Sequence, residues 1–252
     1  PLRTAADIAR AVEIDPALVR ERGEAIARAV ELTTGMLAEE SESRGEPLPL
    51  IGFAGAPFTL AAYLVEGGPS KDHLAARRLI HEDPAAWRAL TEWLARVTGE
   101  FLALQVESGA SAAQLFDSWA GGLPPEDYRA AALPASAASL EAVRALPVPA
   151  GAGIDHIPLV HFGVGTGEIL RDMASIGIDA LGVDYRVPLD EAARRVGGDL
   201  TLQGNLDPAL LFAPAEVRDA AIVRILEAGR AARAHVFNLG HGVPMEADPD
   251  AI

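Results

Sequence analysis

The 252-residue chain contains no cysteine. This absence excludes disulfides, thiolate nucleophiles, iron–sulfur clusters and thiolate zinc sites. Basic residues are also few, because 21 Lys and Arg stand against 36 Asp and Glu, for a formal net charge of −15. Such a chain lacks the basic surface that attracts nucleic acids and anionic membranes. No apolar run reaches the roughly 18 residues of a membrane-spanning helix, so we predict a cytoplasmic protein that binds neither nucleic acid nor membrane.

Aromatic residues are scarce as well, at 5% of the chain, although half of all residues are hydrophobic. The apolar content is therefore mostly Ala, Val and Leu, which suits helices packed tightly on a sheet. The length is sufficient for one large domain with a sizeable core. Because no linker or shift in composition divides the chain, we predict a single domain over residues 1–252.

Six short apolar runs have the composition of buried parallel strands, since they are apolar without strict alternation. These runs are 50–53, 113–116, 157–162, 180–183, 200–203 and 235–239. Helical patterns, with apolar residues every three or four positions, lie between them at 85–106, 124–145, 168–176, 189–196 and 215–227. Strands that alternate with helices predict an α/β fold built from βα units.

Two irregular stretches interrupt this order. Residues 39–49 are polar with two prolines, and we expect them to join a helix to the first strand. Residues 147–153 are rich in Pro, Ala and Gly, which is typical of a surface loop. The pair Asp207-Pro208 predicts a helix start, with a capping carboxylate followed by proline at the first helical position.

Glycine and polar residues follow most of the predicted strands. The resulting loops are 54–57, 117–121, 163–167, 184–186, 204–208 and 240–242. In a parallel barrel or a doubly wound sheet, the carboxyl ends of the strands carry the active site. We therefore expect the functional residues in these loops, on one face of the fold.

About six βα units are recognisable, whereas a closed (β/α)8 barrel takes eight. One hypothesis is that two further units lie upstream of Pro1, at about 30 residues per unit. The chain does begin with Pro1 in place of Met, on a segment typical of the start of a helix. The competing hypothesis is an open six-stranded sheet that is complete in itself.

The glycine-rich loop 163–167 follows a strand and precedes a helix, as a dinucleotide-binding loop would. Its glycine spacing does not match the dinucleotide fingerprint, and Glu168 places a carboxylate where pyrophosphate would lie. We interpret the loop as a tight βα turn.

Two histidines stand at strand ends. His161 has none of the cysteine companions that a zinc site of its kind would use, so we interpret it as a structural residue that hydrogen-bonds the backbone. His241 lies between Gly240 and Gly242, whose small size lets a ligand approach the backbone closely. His241 is therefore a candidate for contact with substrate.

Three further residues are candidates with weaker signals. Ser118 has no evident base beside it, which favours a hydrogen-bond donor over a nucleophile. Asp117 is a possible acid or base, although Asp at a βα junction is more often a cap. Tyr63 is expected on a short helix in the first strand-end loop, where its pattern alone indicates a core or rim position.

Taken together, the strand-end segments resemble the uroporphyrinogen decarboxylase family. The residues that carry the resemblance are Gly52-Phe-Ala-Gly-Ala-Pro-Phe-Thr-Leu60 with Tyr63 and Glu66-Gly-Gly68, Gln114-Leu-Phe-Asp-Ser-Trp-Ala-Gly121, His161-Phe-Gly163, Gly182-Val-Asp-Tyr185, Leu202-Gln-Gly-Asn-Leu-Asp-Pro208 and Asn238-Leu-Gly-His-Gly242. They cover most of the chain from Leu50 onward in the family's order. The chain departs from the family around 147–157, where it carries extra loop residues.

The resemblance implies a (β/α)8 TIM barrel, of which this chain would carry strands 3 to 8. It implies conversion of the four acetate side chains of uroporphyrinogen III to methyl groups, giving coproporphyrinogen III in haem biosynthesis without a cofactor or metal. By resemblance, Tyr63, Ser118 and His241 would hydrogen-bond the carboxylates of the substrate, and Phe53 would form part of the apolar wall against the macrocycle. The family also implies a homodimer.

The resemblance also implies that two groups of the family are missing from these residues. The arginine-rich segment after the family's first strand, and the aspartate after its second, would both lie upstream of Pro1. The catalytic residues are therefore unknown in this chain, and we expect the 252 residues alone to be inactive.

Two alternatives remain open. A corrinoid-linked methyltransferase would share the fold, but such enzymes hold zinc with a His-x-Cys pair where this chain has His161-Phe162-Gly163. A non-catalytic tetrapyrrole carrier would also use the same rim residues.

Overall fold

A computed structural model of the chain describes residues 1–68, 70–148 and 153–251. The chain divides into two compact units. The first comprises Pro1–Asp117 and Gly122–Leu159, and the second comprises Ser118–Gly121 and Val160–Ile252. The single domain over 1–252 stays a prediction.

The first unit contains two parallel strands and a set of helices. The strands are β1 (Ile51–Gly55) and β2 (Ala112–Asp117), and the helices are α1 (Ala5–Val12), α2 (Leu18–Arg22), α3 (Glu24–Arg44), α4 (Pro57–Glu66), α5 (Leu74–Glu82), α6 (Pro84–Glu107), α7 (Pro125–Ala131), α8 (Leu133–Ser139) and α9 (Glu141–Arg144). Strand β1 pairs with β2 so that Ile51 lies opposite Ala112 and Gly55 opposite Phe116.

Helix α6 is the central element of the first unit, because it packs against α1, α4, α8, α9 and β1. It begins where the side chain of Asp83 accepts the Ala86 N–H at 3.0 Å, with proline at the first helical position. Leu90, Leu94 and Leu102 recur at helical spacing and are buried. The helix predicted over 85–106 is therefore confirmed.

The second unit contains the strands β3 (Leu159–Gly163, from Val160), β4 (Ala180–Gly182), β5 (Thr201–Leu206) and β6 (Ala234–Leu239), with α10 (Leu170–Ala174), α11 (Leu189–Val196) and α12 (Ala215–Gly229). The four strands are parallel and paired in chain order. Leu181 and Leu202 lie opposite each other in β4 and β5, and both are completely buried. Parallel strands buried on both faces carry continuous apolar runs, which is why these segments could be recognised.

All six predicted strands are confirmed, and so is the α/β class. The helix predicted over 189–196 is confirmed with the same bounds, and the helix over 215–227 extends to Gly229. The pair Asp207-Pro208 does start a helix of the 3-10 type, in which the Asp207 side chain accepts the Ala209 N–H at 2.9 Å. The helix predicted over 168–176 is shorter and covers Leu170–Ala174.

Two sequence-based boundaries are wrong. The single helix predicted over 124–145 is three short helices that meet at Ala132 and Leu140. Pro134 explains the first break, since it has no N–H to continue the helical hydrogen bonds and its ring clashes with the carbonyl four residues earlier. The connection predicted at 39–49 is still helical up to Arg44, and it is Gly45, with φ of 71°, that ends α3.

Part of the loop predicted at 147–153 lies outside the described residues. Among the helices in the described part of the chain, none is both long enough and apolar enough to cross a membrane.

Candidate functional site

The first unit turns sharply from β1 into α4. The Ala56 N–H donates to the Phe116 carbonyl at 2.8 Å, which extends the pairing of β1 with β2 by one residue. Pro57 then occupies the first turn of α4, where its missing N–H costs nothing. The predicted strand-end loop at 54–57 is therefore a direct strand-to-helix junction.

Phe53 and Tyr63, the two predicted substrate contacts in the first unit, are both exposed. Phe53 is 59% exposed on β1, and its ring meets that of Phe116 edge to face at 5.7 Å. The side chain of Gln105 holds the Phe53 backbone by accepting its N–H at 3.0 Å and donating to its carbonyl at 2.9 Å. Tyr63 is 54% exposed on α4, as expected for a rim residue.

Asp117, the last residue of β2, is completely buried. Its carboxylate accepts the Thr59 hydroxyl at 3.0 Å. Thr59 lies in the first turn of α4, so this bond ties the end of β2 to the helix that follows β1. The contact supports a positioning role for Asp117 within the first unit.

In the second unit, residues 163–167 form the predicted tight turn. The Thr166 hydroxyl donates to the Gly163 carbonyl at 3.2 Å, and Gly165 has a φ of 69°. The Gly165 N–H donates to the Asp184 carboxylate at 2.6 Å. An amide that a phosphate-binding loop would offer to its ligand is therefore already engaged by a protein carboxylate.

Asp184 organises the strand ends of the second unit. It is 2% exposed just after β4, and its carboxylate accepts three donors: the Gly165 N–H, the Arg186 N–H at 3.1 Å and the Arg186 guanidinium. Hydrogen bonds to a buried carboxylate are stronger than bonds between neutral groups. Asp184 therefore joins the loop after β3 to the loop after β4.

The ends of β5 and β6 meet the same loop. Asn205, at the end of β5, donates from Nδ2 to the carbonyls of Asp184 at 2.9 Å and Val187 at 2.6 Å. Gly240, after β6, packs so closely on Tyr185 that a Cβ there would lie 2.4 Å from the Tyr185 nitrogen. The loop after β3, the end of β5 and the loop after β6 thus all contact the loop after β4.

His241 follows Gly240 directly and is exposed. Its Nδ1 accepts the Gly242 N–H at 2.7 Å. In a neutral imidazole the proton then resides on Nε2, which becomes a hydrogen-bond donor. His241 therefore has a donor at the strand ends of the second unit, beside Tyr185.

Ser118 and His161 belong to the same unit but differ in exposure. Ser118 is half-buried in the segment 118–121, where Gly121 lies against the backbone of Val164 and Gly165. His161 is completely buried within β3, as expected of a structural histidine. Over residues 1–68, 70–148 and 153–251, no group of three His, Cys, Asp or Glu side chains has an arrangement that could hold a metal ion.

Three arginines of the second unit differ in the groups that they contact. On α11, Arg194 and Arg195 both bond Glu191, and they lower the pKa of that carboxyl to about 2. Arg195 also donates to the Gly167 carbonyl at 2.6 Å. Arg194 thus pairs within its own helix and Arg195 joins that helix to Gly167, whereas Arg186 is itself part of a strand-end loop.

The structure groups the predicted residues by unit, with Phe53 and Tyr63 in the first and Ser118 and His241 in the second. Their proposed contacts with substrate stay predictions. Asp184 and Arg186 had no predicted role. Both could have been found from the sequence, since a carboxylate follows a buried strand there and an arginine lies two residues later.

Comparison with known proteins shows which protein family the chain belongs to. The family model described as "Uroporphyrinogen decarboxylase (URO-D)" matches residues 1–252. Proteins named uroporphyrinogen decarboxylase from Leifsonia xyli subsp. xyli, an Arthrobacter species and Streptomyces griseus subsp. griseus are 56%, 53% and 51% identical over 98%, 100% and 100% of the chain. The chain spans 66%, 67% and 63% of the length of these relatives, in that order.

A solved structure shares the fold. It is a methyltransferase from Methanosarcina mazei that superposes with a TM-score of 0.70 and 19% sequence identity, over 90% of this chain and 60% of the other. At this identity the likeness concerns the fold alone.

Proposed function

Because the chain belongs to the uroporphyrinogen decarboxylase family, we propose that the protein containing it decarboxylates uroporphyrinogen III. The four acetate side chains become methyl groups, four CO2 molecules are released, and the product is coproporphyrinogen III. The observation that carries this proposal is an identity of 51–56% to three relatives of that name, over 98% or more of the chain.

The chemistry places two demands on the protein. Protonation of a pyrrole carbon creates a cationic ring, which accepts the electron pair left behind by the departing CO2. The protein must stabilise this cation and hold the substrate carboxylates in fixed positions in a partly dry cleft. Preorganised donors at the strand ends suit the second demand.

Three residues of this chain supply such donors in the proposal. The Tyr63 phenol and the His241 Nε2–H are exposed, and the Ser118 hydroxyl is half-buried. Each would donate a hydrogen bond to a substrate carboxylate. The exposed ring of Phe53, fixed against Phe116, would form part of the apolar wall that faces the macrocycle.

The groups that protonate the pyrrole and balance its charge are placed outside these 252 residues in the proposal. The chain covers 63–67% of the length of the three relatives, so a third of their length has no counterpart here. We therefore expect that residues 1–252 alone do not turn over substrate. We also propose that the whole protein is a cytoplasmic homodimer that works without a cofactor or metal.

The test is anaerobic incubation of the full-length protein with uroporphyrinogen, followed by mass spectrometry of the tetrapyrrole. The expected product has four carboxyl groups fewer than the substrate. A tetrapyrrole returned with all eight carboxyl groups would instead indicate a carrier. Residues 1–252, purified alone, are expected to give no product, and turnover by them would contradict the placement of the catalytic groups.

The donor roles are tested by kinetics of His241→Asn and Tyr63→Phe. Each variant loses one hydrogen bond to a charged group, so we expect KM to rise about tenfold, the equivalent of about 1.4 kcal/mol. His81→Asn is the matched control, since His81 is an exposed histidine of α5. A KM for either site variant that equals the control would remove that residue from the proposed site.

A further inference from the structure

We propose that Arg186 binds a carboxylate side chain of the tetrapyrrole substrate, an inference that rests on the proposed function. It adds a cationic residue to the three neutral donors considered above.

Arg186 is the one basic residue in the predicted strand-end loops. The six strand-end loops, 54–57, 117–121, 163–167, 184–186, 204–208 and 240–242, contain one Lys or Arg among them, and that residue is Arg186. The chain as a whole has a formal charge of −15. A substrate with eight carboxylates is repelled by such a chain unless a local cation offsets the repulsion.

The guanidinium of Arg186 is held in place from two sides. Nη1 donates to the buried Asp184 carboxylate, and the guanidinium carbon lies 4.5 Å from the centre of the Tyr185 ring. The Arg186 N–H donates to the same carboxylate at 3.1 Å, which fixes the backbone as well. A side chain held this way loses little conformational freedom when it binds a ligand.

The remaining donors of the guanidinium are available. Arg186 is 49% exposed in its side chain, and its Nε and Nη2 groups make no hydrogen bond to any described residue. The charge of Asp184 is shared by two backbone N–H groups in addition to Arg186. The guanidinium therefore keeps free N–H groups for an incoming carboxylate, for which its planar geometry is suited.

The loop of Arg186 also contacts the loop that carries His241, a predicted substrate contact. Gly240 lies against the backbone of Tyr185, the residue before Arg186, and His241 follows Gly240 in the chain. The loop after β4 and the loop after β6 are therefore in backbone contact within the second unit. We expect Arg186 and His241 to bind carboxylates of the same substrate molecule.

The first test is Arg186→Gln in the full-length protein, with uroporphyrinogen as substrate under anaerobic conditions. Loss of a charged hydrogen-bond donor is expected to raise KM about tenfold while kcat changes less than threefold. Arg186→Lys keeps the charge but loses the planar donor pair, so its KM is expected to lie between that of the unchanged protein and that of Arg186→Gln. Arg224→Gln is the control, because Arg224 is an exposed arginine of α12 and the charge change is identical.

The second test measures binding and needs no turnover. Quenching of tetrapyrrole fluorescence is used to compare the affinity for uroporphyrin, with eight carboxylates, and for coproporphyrin, with four. Arg186→Gln is expected to lose about tenfold in affinity for uroporphyrin and less for coproporphyrin. Added salt is expected to weaken binding less in this variant than in the unchanged protein.

The outcomes separate the inference from the function on which it rests. If the unchanged protein decarboxylates uroporphyrinogen but Arg186→Gln has the KM of the control, the inference is overturned. A lower kcat with unchanged KM, together with a lower Tm, also overturns it, since Arg186 would then only maintain the loop. If the unchanged protein gives no decarboxylated product, it is the proposed function that fails.

Discussion

The substitution Asp184→Asn tests whether one buried carboxylate holds the strand ends of the second unit together. Asp184 is 2% exposed, and its carboxylate accepts the Gly165 N–H on Oδ2 and the Arg186 N–H on Oδ1 in two part-buried hydrogen bonds. Asparagine offers one oxygen and one NH2 group in the same space. Whichever way the amide is oriented, its NH2 group faces one of these two backbone N–H donors.

The expected cost is about 3 kcal/mol of unfolding free energy. One hydrogen bond to a charged acceptor is lost, worth about 1.5–3 kcal/mol, and a part-buried N–H donor is left facing an NH2 group, which adds a cost toward the lower end of about 1–3 kcal/mol. The ion pair with Arg186 adds less than about 1 kcal/mol, because the guanidinium is half exposed. For a protein of this size the loss corresponds to a decrease in Tm of about 6–12 °C.

The assay is urea denaturation followed by circular dichroism, with amide hydrogen exchange to locate the effect. Protection is expected to fall first in loops 163–167 and 184–187, which the carboxylate joins. Asp219→Asn, at an exposed position of α12, is the control and is expected to stay within about 0.5 kcal/mol of the unchanged protein. A loss below about 1 kcal/mol for Asp184→Asn, with unchanged exchange in both loops, would refute the role given to Asp184.

Two further predictions follow from the backbone at Gly240 and from the burial of His73. Gly240→Ala would place a Cβ 2.4 Å from the Tyr185 nitrogen, so the loop after β6 must shift. We therefore expect a lower Tm and weaker tetrapyrrole binding. An unchanged Tm would contradict the close packing. Burial lowers the pKa of His73 below its ordinary value of 6.5, against the opposing charges of Glu66 and Asp72. The unfolded chain then binds the proton more readily, so His73 lowers stability as the pH falls below about 6.5. His73→Asn, which tolerates the left-handed backbone at this position, is expected to flatten the pH dependence of urea unfolding between about pH 6.5 and 5, and an unaltered slope would contradict this.

The strands could be identified because each is a short apolar run, and most of these runs are followed by glycine and polar residues. The pattern over 124–145 led to a wrong prediction of one continuous helix. Apolar periodicity continues through Pro134, although a helical backbone cannot continue through a proline without a break. The end of α3 could have been found from Gly45, which adopts the left-handed conformation common at helix ends.

The candidate site could be predicted only in part. The loops themselves follow from strand and helix order, and His241 was a candidate from its place between two glycines, whereas the role of Tyr63 came from the family resemblance. The sequence could have marked Asp184 as a candidate, but not its role, because its carboxylate bonds the Gly165 N–H, 19 residues earlier in the chain. That pairing depends on how neighbouring strands are placed side by side, which local pattern does not determine. The contact between the loop of Arg186 and the loop of His241 depends on the same placement, through Gly240 and Tyr185.

The central claim is that the strand-end face of this chain belongs to a protein that decarboxylates uroporphyrinogen. The most direct measurement is the number of CO2 molecules released per uroporphyrinogen consumed by the full-length protein, with carboxyl-labelled substrate under anaerobic conditions. The account predicts four CO2 per substrate and a product with four carboxyl groups. Bound uroporphyrinogen that is returned intact, with no CO2 released, would contradict it.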